Sequence, residues 1–355
     1  MIVFIGVKMH AKPIPPFKKW IAPMLFVLAL GYVTLTYQPA ATSTAFHGST
    51  MGTTWSVVIV DPTDISTQKE IQDQLDEVNR LMSTYLPDSE ISRFNRHDTS
   101  PFPISPLTET VIQSSIDIHK MSGAAFDITV GPIVNAWGFG FPPPINPPTE
   151  INPTEFQEFV GMQYFILSDH QIQKSHPDVR IDLSAIAKGF AVDQVVSHLE
   201  SLGFENFLVE VGGELASRGQ KWDRDWLVAI EEPQKERGQY TSIIPLTNQA
   251  MATSGDYRNY KEIDGVRVSH TIDPRSWSPI THSLASISVI APTAMQADGW
   301  ATALNVLGEE DALKIAEEYN LPIYMLIREN DGTFRARSNS AFESIQNSYS
   351  VLESQ

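Results

Sequence analysis

The sequence predicts an α+β fold, on three observations. Segments rich in β-branched and aromatic residues alternate with segments carrying apolar residues at helical spacing, and the two kinds are mixed without a strict strand–helix–strand beat. Clusters of glycine and proline punctuate them. The composition, 42% hydrophobic and 19% charged over 355 residues, is that of a globular chain long enough for a sizeable core in a domain or two.

Lys8, Lys12, Lys18 and Lys19 precede WIAPMLFVLALGYVTLTY (20–37), a charge-free apolar run. A basic flank before such a run reads as an export signal or a single membrane anchor. The run is near the lower limit of the ~17–25 residues that a spanning helix needs. Ser43-Thr44-Ala45 is a poor cleavage site, so residues 1–45 are assigned to a signal peptide or signal anchor with cleavage undecided. Residues 46–340 form the exported body, and 341–355 a loosely held tail.

TTWSVVIV (53–60) reads as a strand. Ile71, Leu75, Val78, Met82 and Tyr85 recur at helical spacing and predict a helix over 67–85. Leu107, Val111, Ile118 and Met121 predict a second. FGFPPPINPPTE (139–150) is a proline-rich connector, and Asn152-Pro153 opens a short helix with proline at its first position. YFILS (164–168) and residues 171–174 form a hairpin, and RIDLS (180–184) ends a strand. Residues 185–203 form a helix capped by Ser184, with Ile186, Phe190, Val195 and Leu199 on its apolar face and Gly203 as its stop. FLVEV (207–211), WLVAIEE (226–232), SIIPL (242–246) and LASISVIAP (284–292) are strands. Helices over 293–307 and 309–319 and strands over 322–328 and 333–337 complete the body.

The net charge is −17, and because the first 45 residues hold four lysines and no acid, the rest stands near −21. That disfavours a nucleic-acid binder, which needs a basic face. The chain has no cysteine, which excludes disulfides, zinc–thiolate sites, thiol catalysis and a lipoprotein cleavage site.

Five constellations carry candidate chemistry. Asp298 and Thr302, in ADGWATAL (297–304), lie four apart on a predicted helix, so both oxygens face one way. A carboxylate and a hydroxyl one turn apart suit a hard cation such as Mg²⁺. The spacing alone fits a solvated helix face better. In RIDLSAIAKGF (180–190), Lys188 lies near a helix start whose amides and dipole offer a seat for phosphate. Capping roles for Asp182 and Ser184 fit that fragment equally. The Gly-Gly of VEVGGELASRG (209–219) admits close approach of a ligand or makes a tight turn, and it is not a dinucleotide fingerprint. In VSHTIDPRSWSPI (268–280), Ser269 stands beside His270, but no GxSxG elbow exists to supply a hydrolase serine. His270, with an ordinary pKa of ~6.5, suits a general base for a substrate hydroxyl, or a buried histidine bonded to backbone. SGAAFDITVGPIVNAWGFG (122–140) frames an aromatic ligand or packs as a glycine-punctuated loop. The nine histidines show no zinc spacing.

Taken in order, MGTTW (51–55), STYLPDSEISRFN (83–95), FDITVGPIVNAWGFG (126–140), IDLSAIAKGFAVD (181–193), VEVGGE (209–214), TSGDYRNY (253–260), SHTIDP (269–274) and APTAMQADGWATAL (291–304) closely resemble the ApbE family, the FAD:protein FMN transferases. The resemblance runs from about residue 46 to 337. It implies one α+β, T-fold-like domain that binds FAD and Mg²⁺, cleaves the FAD pyrophosphate and transfers FMN to a threonine of a target protein, with AMP leaving. Known recipients in the family include subunits of sodium-pumping NADH:quinone reductase and the Rnf complex. The export segment agrees with the family's extracytoplasmic place, on the periplasmic side of a bacterial inner membrane.

Carried over by motif, Met51, Tyr85, Ala125, Phe126 and Asp127 resemble flavin and adenosine contacts. Asp182, Lys188 and Ile272 resemble further FAD contacts. The Ala185 carbonyl, Asp298 and Thr302 resemble the Mg²⁺ ligands, and His270 the proposed general base. Some members carry a lipoprotein cysteine, which this chain lacks. Others mainly hydrolyse FAD, and Tyr85 favours transfer. An FAD pyrophosphatase and a non-catalytic flavin carrier are the alternative readings.

Overall fold

The computed structural model describes residues 42–64, 66–140, 151–231, 240–255, 260–263 and 266–353. The basic and apolar N-terminal run and most of the proline-rich connector lie outside them. Among the described residues no helix is long and apolar enough to cross a membrane.

The chain opens on a hairpin of β1 (Thr44–Thr50) and β2 (Thr53–Ile59). Then come α1 (Ser66–Met82), whose Ile71, Leu75 and Val78 are buried, and α2 (Glu90–Arg96), capped by the Ser89 side chain. Short β3 (Phe102–Pro103), α3 (Pro106–Met121, capped by Ser105) and α4 (Gly131–Ala136) follow. The Asn152-Pro153 signal yields one 3-10 turn, Pro153–Glu155, in which the Asn152 side chain accepts from the Thr154 N–H. A hairpin of β4 (Phe165–Ser168) and β5 (Gln171–Lys174) leads to α5 (Ala187–Ser201). Next are β6 (Phe207–Val211), β7 (Glu214–Arg218), β8 (Trp226–Glu231), β9 (Tyr240–Leu246) and β10 (Ala250–Gly255). Short β11 (Tyr260–Ile263), β12 (Val266–Ser269), β13 (Ile272–Asp273) and β14 (Ser278–Pro279) precede β15 (Leu284–Ala291). The chain closes with α6 (Ala294–Leu307), α7 (Glu309–Glu318), β16 (Ile323–Arg328), β17 (Phe334–Ser338) and α8 (Ser340–Glu353).

Eight strands form one antiparallel sheet in the order β1-β2-β6-β7-β10-β15-β16-β17. Its alternation sorts side chains to two faces. Val57, Val209, Ala252, Val289 and Met325 join a core with the buried faces of α1, α3, α5 and α6. Met251, Ile290, Tyr324 and Leu326 point the other way, onto the β8–β9 hairpin and Phe342 of α8. Burial on both faces makes β15 an unbroken apolar-to-small run, LASISVIA, with every residue buried.

Three expectations fail here. RIDLS is not a strand. Its backbone partners come from elsewhere: the Asn95 side chain accepts from the Ile181 N–H and donates to the Ile181 carbonyl, both at 2.8 Å, and the Asp182 N–H donates to the Ile128 carbonyl. Ser184 does not cap α5. The cap position is Ile186, without a side-chain bond, and the Ser184 N–H and hydroxyl both donate to the Asp182 carboxylate. The C-terminal stretch is no loose tail but α8, where Asn339 accepts from the Phe342 N–H and Phe342 is fully buried.

Candidate active site

The start of α5 packs against the start of α6. A Cβ added at Gly189 would lie 2.1 Å from the Ala294 carbonyl oxygen and 2.8 Å from the Asp298 Cβ, so only glycine allows this approach. The Gly189 N–H donates to Asp298 Oδ2 at 2.9 Å. In a regular helix that N–H would donate to the Ala185 carbonyl. Among the described residues no backbone N–H takes its place, so the Ala185 oxygen is left out of the helical ladder. Asp193, one turn further along α5, accepts the N–H groups of Ala294 and Met295, both at 2.8 Å. Two of the orphan donors at the start of α6 are thus satisfied by a carboxylate that also complements the helix dipole. Burial pushes the Asp193 carboxyl up to about 6 against those two bonds.

Asp298 is 5% exposed, and Thr302 follows it one turn later on α6, half-buried. Facing Asp298 is Lys188, whose Nζ lies 3.8 Å from Asp298 Oδ1 and 2.7 Å from Glu214 Oε1. Glu214 is 3% exposed, and its Oε2 is buried with no hydrogen-bond partner. Burial and then the Asp298 charge push the Glu214 carboxyl up, against the pull of Lys188. Burial acts first on Lys188 as well, but the two carboxylates outweigh it and raise its pKa. Among the described residues no three His, Cys, Asp or Glu side chains stand together as a metal cluster. A cation here would meet mixed oxygen donors, namely the Asp298 carboxylate, the Thr302 hydroxyl and the Ala185 carbonyl, which is the donor set of a hard ion. The residues present fit Mg²⁺.

Sequence reasoning missed Glu214, Asp193 and Gly189 as parts of this site. The Gly-Gly pair carried the first signal. Gly212 and Gly213, with φ of 63° and 106°, make the two-residue turn between β6 and β7, and Glu214 opens β7 opposite Val211. Beside it lies the β1–β2 turn, Met51-Gly52, also at positive φ of 48° and 73°, linked through the Gly212 N–H to the Thr54 carbonyl. Met51 thus holds a left-handed conformation uncommon for its type, of the kind found at ligand sites. A hollow of about 470 Å³ opens over this turn, lined by residues 49–54.

A second group joins the 122–131 stretch to Asp182. The Asp182 N–H to Ile128 carbonyl bond brings them side by side, and a Cβ added at Gly131 would lie 3.5 Å from the Asp182 Cβ. Asp127 accepts from the Thr129 N–H and hydroxyl, at 2.7 and 2.6 Å, and burial raises its pKa despite them. Ala125 and Phe126 are buried, and the Phe126 backbone is already engaged by Ser122 and His119.

A third group surrounds His270, which is half-buried, with its ring edge to face with Phe139 at 6.4 Å. Ile272 is buried with Ile133, Trp137 and Val160, and the Trp137 indole N–H donates to the Trp277 carbonyl. Strand β13 packs against α6, which bears Asp298 and Thr302. The Ser269 hydroxyl accepts from the Thr271 N–H, which makes a local turn after β12. Tyr85 stands on the loop after α1, 65% exposed.

Known proteins repeat this chain over most of its length. A sequence model of the ApbE family matches residues 51–325. A Haemophilus influenzae protein named FAD:protein FMN transferase is 44% identical over 316 residues, covering 85% of this chain and 91% of its own. The solved structure of the flavin transferase ApbE from Vibrio cholerae superposes with a TM-score of 0.79 at 39% identity, over 86% of this chain and 99% of that one. The apo form of Pseudomonas stutzeri flavinyl transferase ApbE gives 0.78 at 35% identity, over 86% and 97%. With a family match this long on a shared fold, the chain belongs to the ApbE family.

Proposed function

We propose that the chain is an Mg²⁺-dependent FAD:protein FMN transferase, which joins FMN through a phosphoester to a threonine of an acceptor protein and releases AMP. The observation that carries this reading is the start of α5, where Lys188 stands between the buried carboxylates of Glu214 and Asp298 beside a carbonyl released from the helical ladder. The names of the relatives support it.

Asp298, the Thr302 hydroxyl and the Ala185 carbonyl would hold Mg²⁺, which when bound supplies neutralisation of pyrophosphate charge. Lys188 binds a phosphate oxygen of FAD. His270 accepts the threonine proton as the threonine Oγ forms its bond to the flavin-side phosphorus. The bond from that phosphorus to the bridging oxygen breaks, and AMP leaves with the electron pair. General-base help of this kind is worth ~10²–10⁴ in rate. Met51, Tyr85, Ala125, Phe126, Asp127, Asp182 and Ile272 contact the flavin and adenosine.

We assign the body to the periplasmic side of a bacterial inner membrane, anchored or released by the N-terminal segment. Its acceptors are subunits of sodium-pumping NADH:quinone reductase or Rnf-type complexes, and it binds no nucleic acid. The test combines protein, FAD, Mg²⁺ and a recipient domain, followed by in-gel fluorescence. A fluorescent band that survives denaturation supports transfer. Free FMN and AMP without a band would mark an FAD pyrophosphatase, and FAD left bound and intact a carrier.

A further inference from the structure

We infer that Glu214 is a positioning residue that holds the Lys188 ammonium off the Asp298 carboxylate and so leaves that carboxylate available to a divalent cation. The inference rests on Asp298 as a metal ligand. Lys188 faces two carboxylates and is bonded to one. Its Nζ is 2.7 Å from Glu214 Oε1, a charge-assisted hydrogen bond, and 3.8 Å from Asp298 Oδ1, beyond hydrogen-bond reach. Asp298 Oδ2 is committed to the Gly189 N–H, so Oδ1 is the oxygen left for a cation, and it is the one that Lys188 faces. An ammonium that closed onto Oδ1 in this buried setting would cancel the charge a metal needs. Removing Glu214 leaves Asp298 as the next counter-ion for Lys188.

The backbone makes Glu214 suited to this work. It opens β7 directly after the Gly212-Gly213 turn and pairs with Val211, so the sheet fixes its Cα while Lys188 rides on a helix. Sites carried on such rigid elements keep their geometry. The second oxygen of Glu214 is buried and has no hydrogen-bond partner among the described residues.

The experiment titrates MnCl₂ into the full protein, without FAD or acceptor, and reads free Mn²⁺ by electron paramagnetic resonance. Glu214→Gln is expected to weaken Mn²⁺ binding roughly 10–100-fold, the scale for partners that orient metal ligands. Adding Lys188→Met to Glu214→Gln is expected to return affinity to wild-type strength or better, because the competing ammonium is gone. A merely structural role for Glu214 gives no such rescue. Circular dichroism checks the fold, and if Glu214→Gln does not fold, Glu214→Asp, one methylene shorter, is read the same way. Wild-type protein that binds no Mn²⁺ refutes Asp298 as a ligand and this inference with it. Wild-type binding with no loss in Glu214→Gln, or no rescue by Lys188→Met, overturns the positioning role alone.

Discussion

Lys174 is buried and the Lys188 side chain is 31% exposed, and the groups that receive their protons differ in kind. Lys174, at the end of β5, is 1% exposed and donates to the carbonyls of Asn95, Pro177 and Val179 at 3.1, 2.9 and 3.2 Å, over the ring of Phe94. Three donors meet three neutral acceptors. Lys188 instead meets two carboxylates, one of which keeps an unpartnered oxygen. The first ammonium is saturated by backbone and staples α2 to the strandless run before Asp182. The second sits in a cluster with acceptor capacity to spare, as a site does that is to receive a charged ligand. A buried lysine is therefore no mark of function by itself, and the chemistry of its acceptors decides.

The largest expected effect falls on the carboxylate side. Asp298→Ala should lower FMN transfer by at least ~10²–10³, the scale for loss of one preorganised electrostatic contact. It should also weaken Mg²⁺-dependent FAD binding, with the far-UV spectrum unchanged. Lys174→Met should do the reverse, with a lower melting temperature and the transfer rate per folded molecule near that of the wild type. If Lys174→Met loses transfer while fully folded, the division between the two lysines is wrong.

His270 tests whether proton transfer lies outside the lysine–carboxylate cluster, on the segment beside Phe139. His270→Ala should keep FAD binding and lose ~10²–10⁴ in transfer rate. Transfer at the wild-type rate would remove His270 from the mechanism and leave the α5–α6 cluster to act alone.

Stability should respond on the other side. Lys174→Ala strands the half-buried carbonyl of Asn95, while Arg180 still donates to those of Pro177 and Val179, and one such unsatisfied group costs about 1–3 kcal/mol, read as a fall in the urea midpoint.

The sequence carried one half of this contrast. Helical spacing brought Asp298 and Thr302 to one face, and the strand-to-helix junction marked Lys188, because both signals are local. Glu214 was out of reach of such reasoning: its contact with Lys188 depends on a glycine turn and on the sheet meeting a helix. Asp193 lay inside a quoted motif, yet its partners, Ala294 and Met295, are far along the chain. RIDLS reads as a strand from its residues alone, but the Asn95 side chain supplies at Ile181 the bonds that a neighbouring strand would have. Lys174 fell on an inward position of a strand predicted correctly, where period-2 reasoning expects an apolar residue. Only the three carbonyls explain it. The strands β1, β7 and β10 were missed because their alternation is broken by Ser, Thr, Glu and Gly, which the sheet tolerates between buried neighbours.

The smallest effect is a pH signature in which the two lysines oppose each other. Burial pulls Lys174 down to about 8 from its ordinary 10.5. Between those values the unfolded chain holds a proton that the folded protein has shed, so this group adds stability as pH rises. Lys188 is raised above 10.5 by its carboxylates. There the folded protein keeps a proton that the unfolded chain sheds, so its contribution is complete below about 10.5 and fades as pH climbs through its folded value. Urea unfolding from pH 7.5 to 10 should therefore show wild type gaining on Lys174→Met, by about 2 kcal/mol at most. It should show no such gain against Lys188→Met over the same range. A constant difference between wild type and Lys174→Met would mean that the three carbonyls keep Lys174 charged throughout, and that the backbone cage offsets burial as fully as two carboxylates do.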